Sequence, residues 1–161
     1  MKKKWLDAIL ILPFNVTVVI PCLIFYFSGE KFIFPNVYFL ILSLILFIFG
    51  LYMAISTMIL FHKIGKGTLA PWAATKHLIV EGPYKYTRNP MITGVLSILA
   101  AEALFLNSLY IFYWMILFFI INCIYFKLFE EKQLENNFKE EYFEYRKNTP
   151  MWFPKIRIGK K

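Results

Sequence analysis

The chain has 161 residues, of which 59% are apolar and 20% aromatic, with a formal net charge of +8 and two cysteines. The apolar excess is gathered into runs near or above the roughly 18 to 20 residues that cross a bilayer core, so it excludes an ordinary soluble domain. Cys22 and Cys123 lie inside such runs without metal spacing, which excludes a secreted disulfide framework and leaves them as small apolar packers.

The first run, from about Trp5 to Phe27, follows Lys2, Lys3 and Lys4 and is too long for a removable leader, so the sequence predicts a membrane span. Pro13 and Pro21 fall inside it, which neighbouring helices tolerate in a membrane. Ser28 to Lys31 is its turn, and a second span runs from about Pro35 to Phe61, closing an antiparallel hairpin. The segment from His62 to Pro90 is polar and carries Lys63, Lys66, Lys76, Lys85 and Arg88. Met91 to Leu106 is a short third span, Asn107-Ser108 a tight turn, and Leu109 to about Leu128 a fourth span. From Phe129 to Lys147 apolar residues recur at three to five residue steps, the pattern of an amphipathic helix lying against the membrane face. Met151-Trp152-Phe153-Pro154 is then expected to act as an interfacial aromatic anchor.

The fold class that follows is an all-α integral membrane protein with about four transmembrane helices in two antiparallel hairpins, plus a cytoplasmic amphipathic C-terminal helix. It forms one membrane domain, with an N-terminal hairpin over 1–61 and a core over 62–161. All of the 18 lysines and arginines except Lys31 fall on one side of this arrangement, so the positive-inside rule puts both termini and the middle loop in the cytoplasm. The positive charge thereby sets topology and contacts anionic lipid heads, and nucleic acid is not an expected partner.

Chemistry concentrates where packing cannot explain the residues, in Lys76 to Gly94. Gly65-Lys66-Gly67 permits a backbone to approach a ligand or simply to turn. Gly82-Pro83-Tyr84 and Arg88-Asn89-Pro90 stand ahead of the third span, where Pro90 starts the helix, and a helix N-terminus beside an arginine suits a carboxylate or phosphate. A positive-inside anchor accounts for the same residues equally well. Glu130 and Glu131 emerge from the fourth span at the same membrane level as Arg88, and two acids there suit an ammonium, ribose hydroxyls or a sulfonium. Glu102 lies inside the third span, where an ionisable group is a functional candidate by default, although snorkelling or a bond to Asn122 also accounts for it. His62 and His77 are too few for a histidine-based metal site, and no metal is expected.

In combination, Gly65-Lys66-Gly67, His77 to Val80, Gly82-Pro83-Tyr84, Arg88-Asn89-Pro90 with Gly94, Glu130-Glu131, and Tyr142 to Tyr145 with Pro150 and Pro154 resemble one known family. It is the membrane-embedded methyltransferase superfamily of isoprenylcysteine carboxyl methyltransferases and phosphatidylethanolamine N-methyltransferases. The resemblance implies S-adenosylmethionine as methyl donor and a lipophilic acceptor, such as a lipid amine headgroup, an isoprenylcysteine-like carboxylate or a small apolar thiol. It implicates Gly65, Gly67, Lys76, His77, Leu78, Ile79, Val80, Gly82, Tyr84, Arg88, Asn89, Pro90, Met91, Ile92, Glu130 and Glu131 in donor binding. Arg88, Asn89, Glu131 and Glu102 are the candidates for the chemical step. The family often has Arg-His-Pro followed by tyrosine where this chain has Arg88-Asn89-Pro90-Met91-Ile92, so no role for that histidine or tyrosine carries over. A noncatalytic lipid-binding adaptor, or a sterol-reductase-like enzyme using a nicotinamide, are the alternatives.

Overall fold

The computed structural model describes residues 10–65 and 77–152, and within them every regular element is helical. The expectations placed on Lys2 to Lys4, Lys66, Gly67, Lys76, Phe153 and Pro154 lie outside the described residues.

The first apolar run is wound as a π-helix over Leu10–Val19 and continues as α1, Ile20–Ser28. Pro21 stands in the first turn of α1, where its missing N–H is tolerated, and in the preceding turn the Val16 carbonyl accepts from the Trp114 indole Nε1 at 3.3 Å. Gly29 ends α1 in the left-handed conformation (φ 69°), which glycine adopts without a Cβ penalty. Helix α2, Val37–Leu60, starts where the Asn36 side chain accepts from the Phe39 N–H at 2.9 Å. Helix α3, Pro90–Phe105, has its proline at the first helical position, and α4, Leu109–Tyr125, is capped by Ser108, whose Oγ accepts from the Ile111 N–H. A π-turn over Phe126–Glu130 carries α4 directly into α5, Glu131–Asn148.

Two helices, Val37–Leu60 and the one that opens at Leu109, are long and apolar enough to cross a membrane. Only 17% and 11% of their most apolar windows are buried inside the protein, so these side chains face outward, the arrangement for lipid rather than for a soluble core. The apolar helices Pro13–Ser28 and Pro90–Phe105 are shorter.

The main packing contact joins α2 to α3 at two glycines. A Cβ on Gly50 would stand 2.7 Å from the Gly94 carbonyl oxygen, and one on Gly94 would stand 2.9 Å from that of Gly50. The two backbones touch because neither position carries a side chain, the small-residue packing of membrane helices. This crossing fixes the start of α3 beside the end of α2, which is where the polar loop is held.

Helix α5 departs from the single amphipathic rod expected over Phe129 to Lys147. Lys139 has φ 43° and ψ −117°, outside any helix, and breaks α5 into two halves. In a straight helix residues 131 and 146 would be about 22 Å apart along the axis. Arg146 Nε instead lies 3.9 Å from the Glu131 carboxylate, and Arg146 also pairs with Glu135. The C-terminal half therefore folds back on the first.

Candidate functional site

The loop ahead of α3 is pinned from two sides. Gly82 turns with φ 56°, and a Cβ there would meet Leu60 Cδ1 at 2.9 Å, so the turn Gly82–Lys85 sits directly on the end of α2. The Tyr84 ring packs 6.2 Å from that of Phe61. From the other side the Tyr145 hydroxyl donates to the Tyr84 carbonyl at 2.7 Å. The segment after α5 lies along the loop like a strap, with the Arg88 N–H donating to the Pro150 carbonyl at 2.9 Å and Thr87 Oγ1 to the Met151 carbonyl at 2.8 Å. Trp152 packs on Phe119 and Phe126, with ring centroids 5.2 and 6.3 Å away.

Arg88 and Glu131 meet in this enclosure. Their side chains are 8% and 7% exposed and form an ion pair, and the same Arg88 Nη1 donates to the Tyr142 hydroxyl at 3.0 Å. The Arg88 guanidinium lies 5.9 Å from the centre of the Phe126 ring. Arginine so held is already neutralised. The Arg88 and Glu131 charges, expected to suit a ligand, are matched by each other through Arg88 Nη1, while Arg88 Nε stays outside the pair. The sequence offered a signal for Tyr142 and Tyr145, two tyrosines three residues apart in a charged helix, but nothing in it indicated that Thr87, Pro150 and Met151 would close over the loop.

Three groups in this region have no hydrogen-bond or ion-pair partner among the described residues. Arg88 Nε and Asn89 Nδ2 are buried donors without an acceptor, and Asn89 as a whole is only 6% exposed. Asn89 occupies the cap position of α3 without its side chain capping the helix, while its carbonyl accepts from Thr93 N–H and Thr93 Oγ1. Glu130, next to the tied Glu131, forms no salt bridge among the described residues. Burial pushes its carboxyl up to about 7, and it lies close enough to Tyr84 to help raise that phenol, whose own burial is the larger cause. Both groups lie beyond the apolar stretch of α4, which ends near Leu128.

The remaining expected residues are distributed around this cluster. Ile79, Pro83, Tyr84 and Pro90 are buried, Leu78, Met91 and Ile92 half-buried, and His77, Val80 and Gly82 exposed. Gly65 closes the π-turn Phe61–Gly65 that follows α2. Glu102 is not brought to the cluster. It lies twelve residues past Pro90, about 18 Å along the helix, near the opposite end of α3. Asn122 Nδ2 serves the Phe118 carbonyl of its own helix, and Glu102 Oε2 is buried without a partner.

The family model of the phospholipid methyltransferases (PEMT) matches residues 38–141, well over half of the chain and spanning α2, the loop, α3, α4 and most of α5. The chain belongs to this family. It is a membrane methyltransferase, and the elements that enclose the Arg88 cluster are the ones the family model covers, apart from the end of α5 with Tyr142 and Tyr145 and the strap, which lie beyond residue 141. No curated protein and no solved structure matches the methyltransferase chain.

Proposed function

We propose that this membrane methyltransferase takes its methyl group from S-adenosylmethionine and passes it to a lipophilic acceptor at the cytoplasmic membrane face. A phospholipid headgroup amine is the acceptor most in keeping with the family. The reading is carried by groups beside the loop ahead of α3 that are unpartnered among the described residues, two buried donors without an acceptor and the half-buried Glu130 carboxyl without a cation. S-adenosylmethionine has the complementary set, a carboxylate, an ammonium and ribose hydroxyls, and it supplies a methyl group already activated on a sulfonium. Asn89 Nδ2 and Arg88 Nε are suited to donate to its carboxylate, and Glu130 to accept from its ammonium or a ribose hydroxyl. The residues present fit the donor.

The protein's part in such a reaction is positioning and exclusion of water. Tyr84, Ile79 and Pro90 provide buried walls. The Thr87, Pro150 and Met151 contacts keep the strap closed over the loop, so the transfer would occur in a low-dielectric enclosure between two fixed reactants. Arg88 and Glu131 act here as a mutual brace that holds α5 to the loop. No covalent intermediate on the protein is needed.

The same reading takes the chain to be multi-pass, with its four apolar helices as spans and both termini and the site in the cytoplasm. The concentration of lysine and arginine at that end supports it. The whole chain would then act as one membrane domain, a reading supported by the α2–α3 crossing, which joins the N-terminal hairpin to the core.

Titration of the detergent-solubilised protein with S-adenosylmethionine by calorimetry tests the donor. Saturable binding is expected, weakened in Glu130→Gln and Asn89→Ala. Radiolabelled donor incubated with membrane lipids, with the product identified by mass spectrometry, tests the acceptor. Absence of both saturable binding and a labelled lipid in the wild type overturns the proposal.

A further inference from the structure

Tyr142 and Tyr145 stand three residues apart in the folded-back half of α5, on one face, with ring centroids 6.2 Å apart. Between them they hold both ends of the loop ahead of α3. Tyr142, fully buried, accepts from Arg88, and Tyr145 donates to the carbonyl of Tyr84. The second contact bears most directly on the site, because Tyr84 is the buried residue whose phenol senses Glu130. A carbonyl in a short turn has few ways to be held. The turn Gly82–Lys85 has its own bonds from Tyr84 N–H to Glu81 and from Tyr86 N–H to Pro83, so the Tyr84 carbonyl is left to a tertiary donor. The Tyr145 hydroxyl is that donor, and its bond couples the orientation of the Tyr84 peptide to the position of α5.

We infer that Tyr145 is a positioning residue for methyl transfer, acting on the donor site through the Tyr84 carbonyl rather than by touching either reactant. This rests on the reading that the donor binds beside Glu130. The folded-back helix is then part of the site, and the turn at Lys139 is what delivers Tyr145 to it. Occupancy of the donor site and order in the C-terminal half of α5 are coupled in both directions.

The test is Tyr145→Phe, which keeps the ring and removes only the hydroxyl. The expected result is a rise in KM for S-adenosylmethionine of about five-fold, the worth of one neutral hydrogen bond, with kcat and the KM for the lipid acceptor unchanged within about two-fold. A merely structural role would lower stability without separating the two KM values. Hydrogen exchange on the wild type gives a second measurement that needs no variant. Saturating donor is expected to slow exchange of the amides of Tyr84 to Asn89 and of Tyr142 to Thr149 together. An unchanged donor KM in Tyr145→Phe, or protection confined to the loop, overturns the inference while leaving the donor reading intact. A wild type that binds no donor overturns the donor reading first.

Discussion

Arg88 Nη1 bridges the Glu131 carboxylate and the Tyr142 hydroxyl, so one guanidinium nitrogen ties the loop ahead of α3 to both halves of a folded-back helix. Both charges are almost wholly enclosed. Such a pair contributes little net stability over an apolar pair of the same volume, but removing one member strands the other charge without solvent. Arg88→Ala and Glu131→Ala are each expected to destabilise the protein by about 3–5 kcal/mol. The double variant Arg88→Met with Glu131→Leu is expected to cost much less than the sum. Thermal unfolding in a single detergent, analysed as a double-mutant cycle, measures this coupling. Additive losses would mean that the two residues do not act as a pair.

The α2–α3 crossing predicts a sharp intolerance at two positions. A Cβ on Gly50 would meet the Gly94 carbonyl and Ile98 Cγ1, both at 2.7 Å, and one on Gly94 would meet Gly50, Met53 and Ala54 at 2.9 to 3.1 Å. Most of these neighbours are backbone atoms that cannot swing away. Gly50→Ala and Gly94→Ala are each expected to lower stability by about 1–3 kcal/mol, the usual cost of overpacking. Gly29→Ala meets no atom within 4 Å and is expected to cost only the strain of its positive φ. Midpoints of thermal unfolding compared across the three variants check the ranking.

Lys139 carries a positive φ without the freedom of glycine. Lys139→Gly is expected to be neutral or to stabilise by up to about 1 kcal/mol, because glycine reaches this conformation without a Cβ clash. Lys139→Val, which adds branching at Cβ, is expected to destabilise by more than 1 kcal/mol, roughly the range of such backbone strain. Limited proteolysis within α5, alongside thermal unfolding, reports both effects.

In the proposed site, Glu130 is expected to make donor binding depend on pH. Its carboxyl is pushed from 4.5 up to about 7 by burial, so it is mostly neutral below that value and anionic above it. A cationic partner at Glu130 is favoured only by the anion. Affinity for S-adenosylmethionine is therefore expected to rise by about tenfold from about pH 6 to about pH 8. Glu130→Gln should bind weakly throughout and flatten that profile. In the donor-free protein the sign reverses. A raised carboxyl pKa means that the folded state holds the extra proton, so this contribution to stability is present below about 4.5 and lost as pH rises through about 7. Calorimetry and thermal unfolding across the same pH series separate the two trends.

Much of the molecule was legible in the sequence because the signals are local. Hydropathy over a window marked the apolar helices, Asn107-Ser108 marked a turn, Pro90 marked the first residue of α3, and the loop motifs with Glu130-Glu131 pointed to the family. The roles of the two adjacent acids were not legible. Neighbouring residues on a helix point about 100° apart, and the π-turn over Phe126–Glu130 shifts the phase at which α5 begins. Which acid faces Arg88 is decided by that shift and by the fold-back at Lys139, neither of which leaves a periodic trace in the sequence. Composition and hydropathy spacing thus determined a helical membrane protein, and the loop and acidic motifs, through their resemblance to a known family, pointed to a methyltransferase. The tertiary structure decided that Glu131 is bound to Arg88 while Glu130 forms no ion pair among the described residues, because only packing brings side chains 43 positions apart into one enclosure and leaves the adjacent one outside the pair.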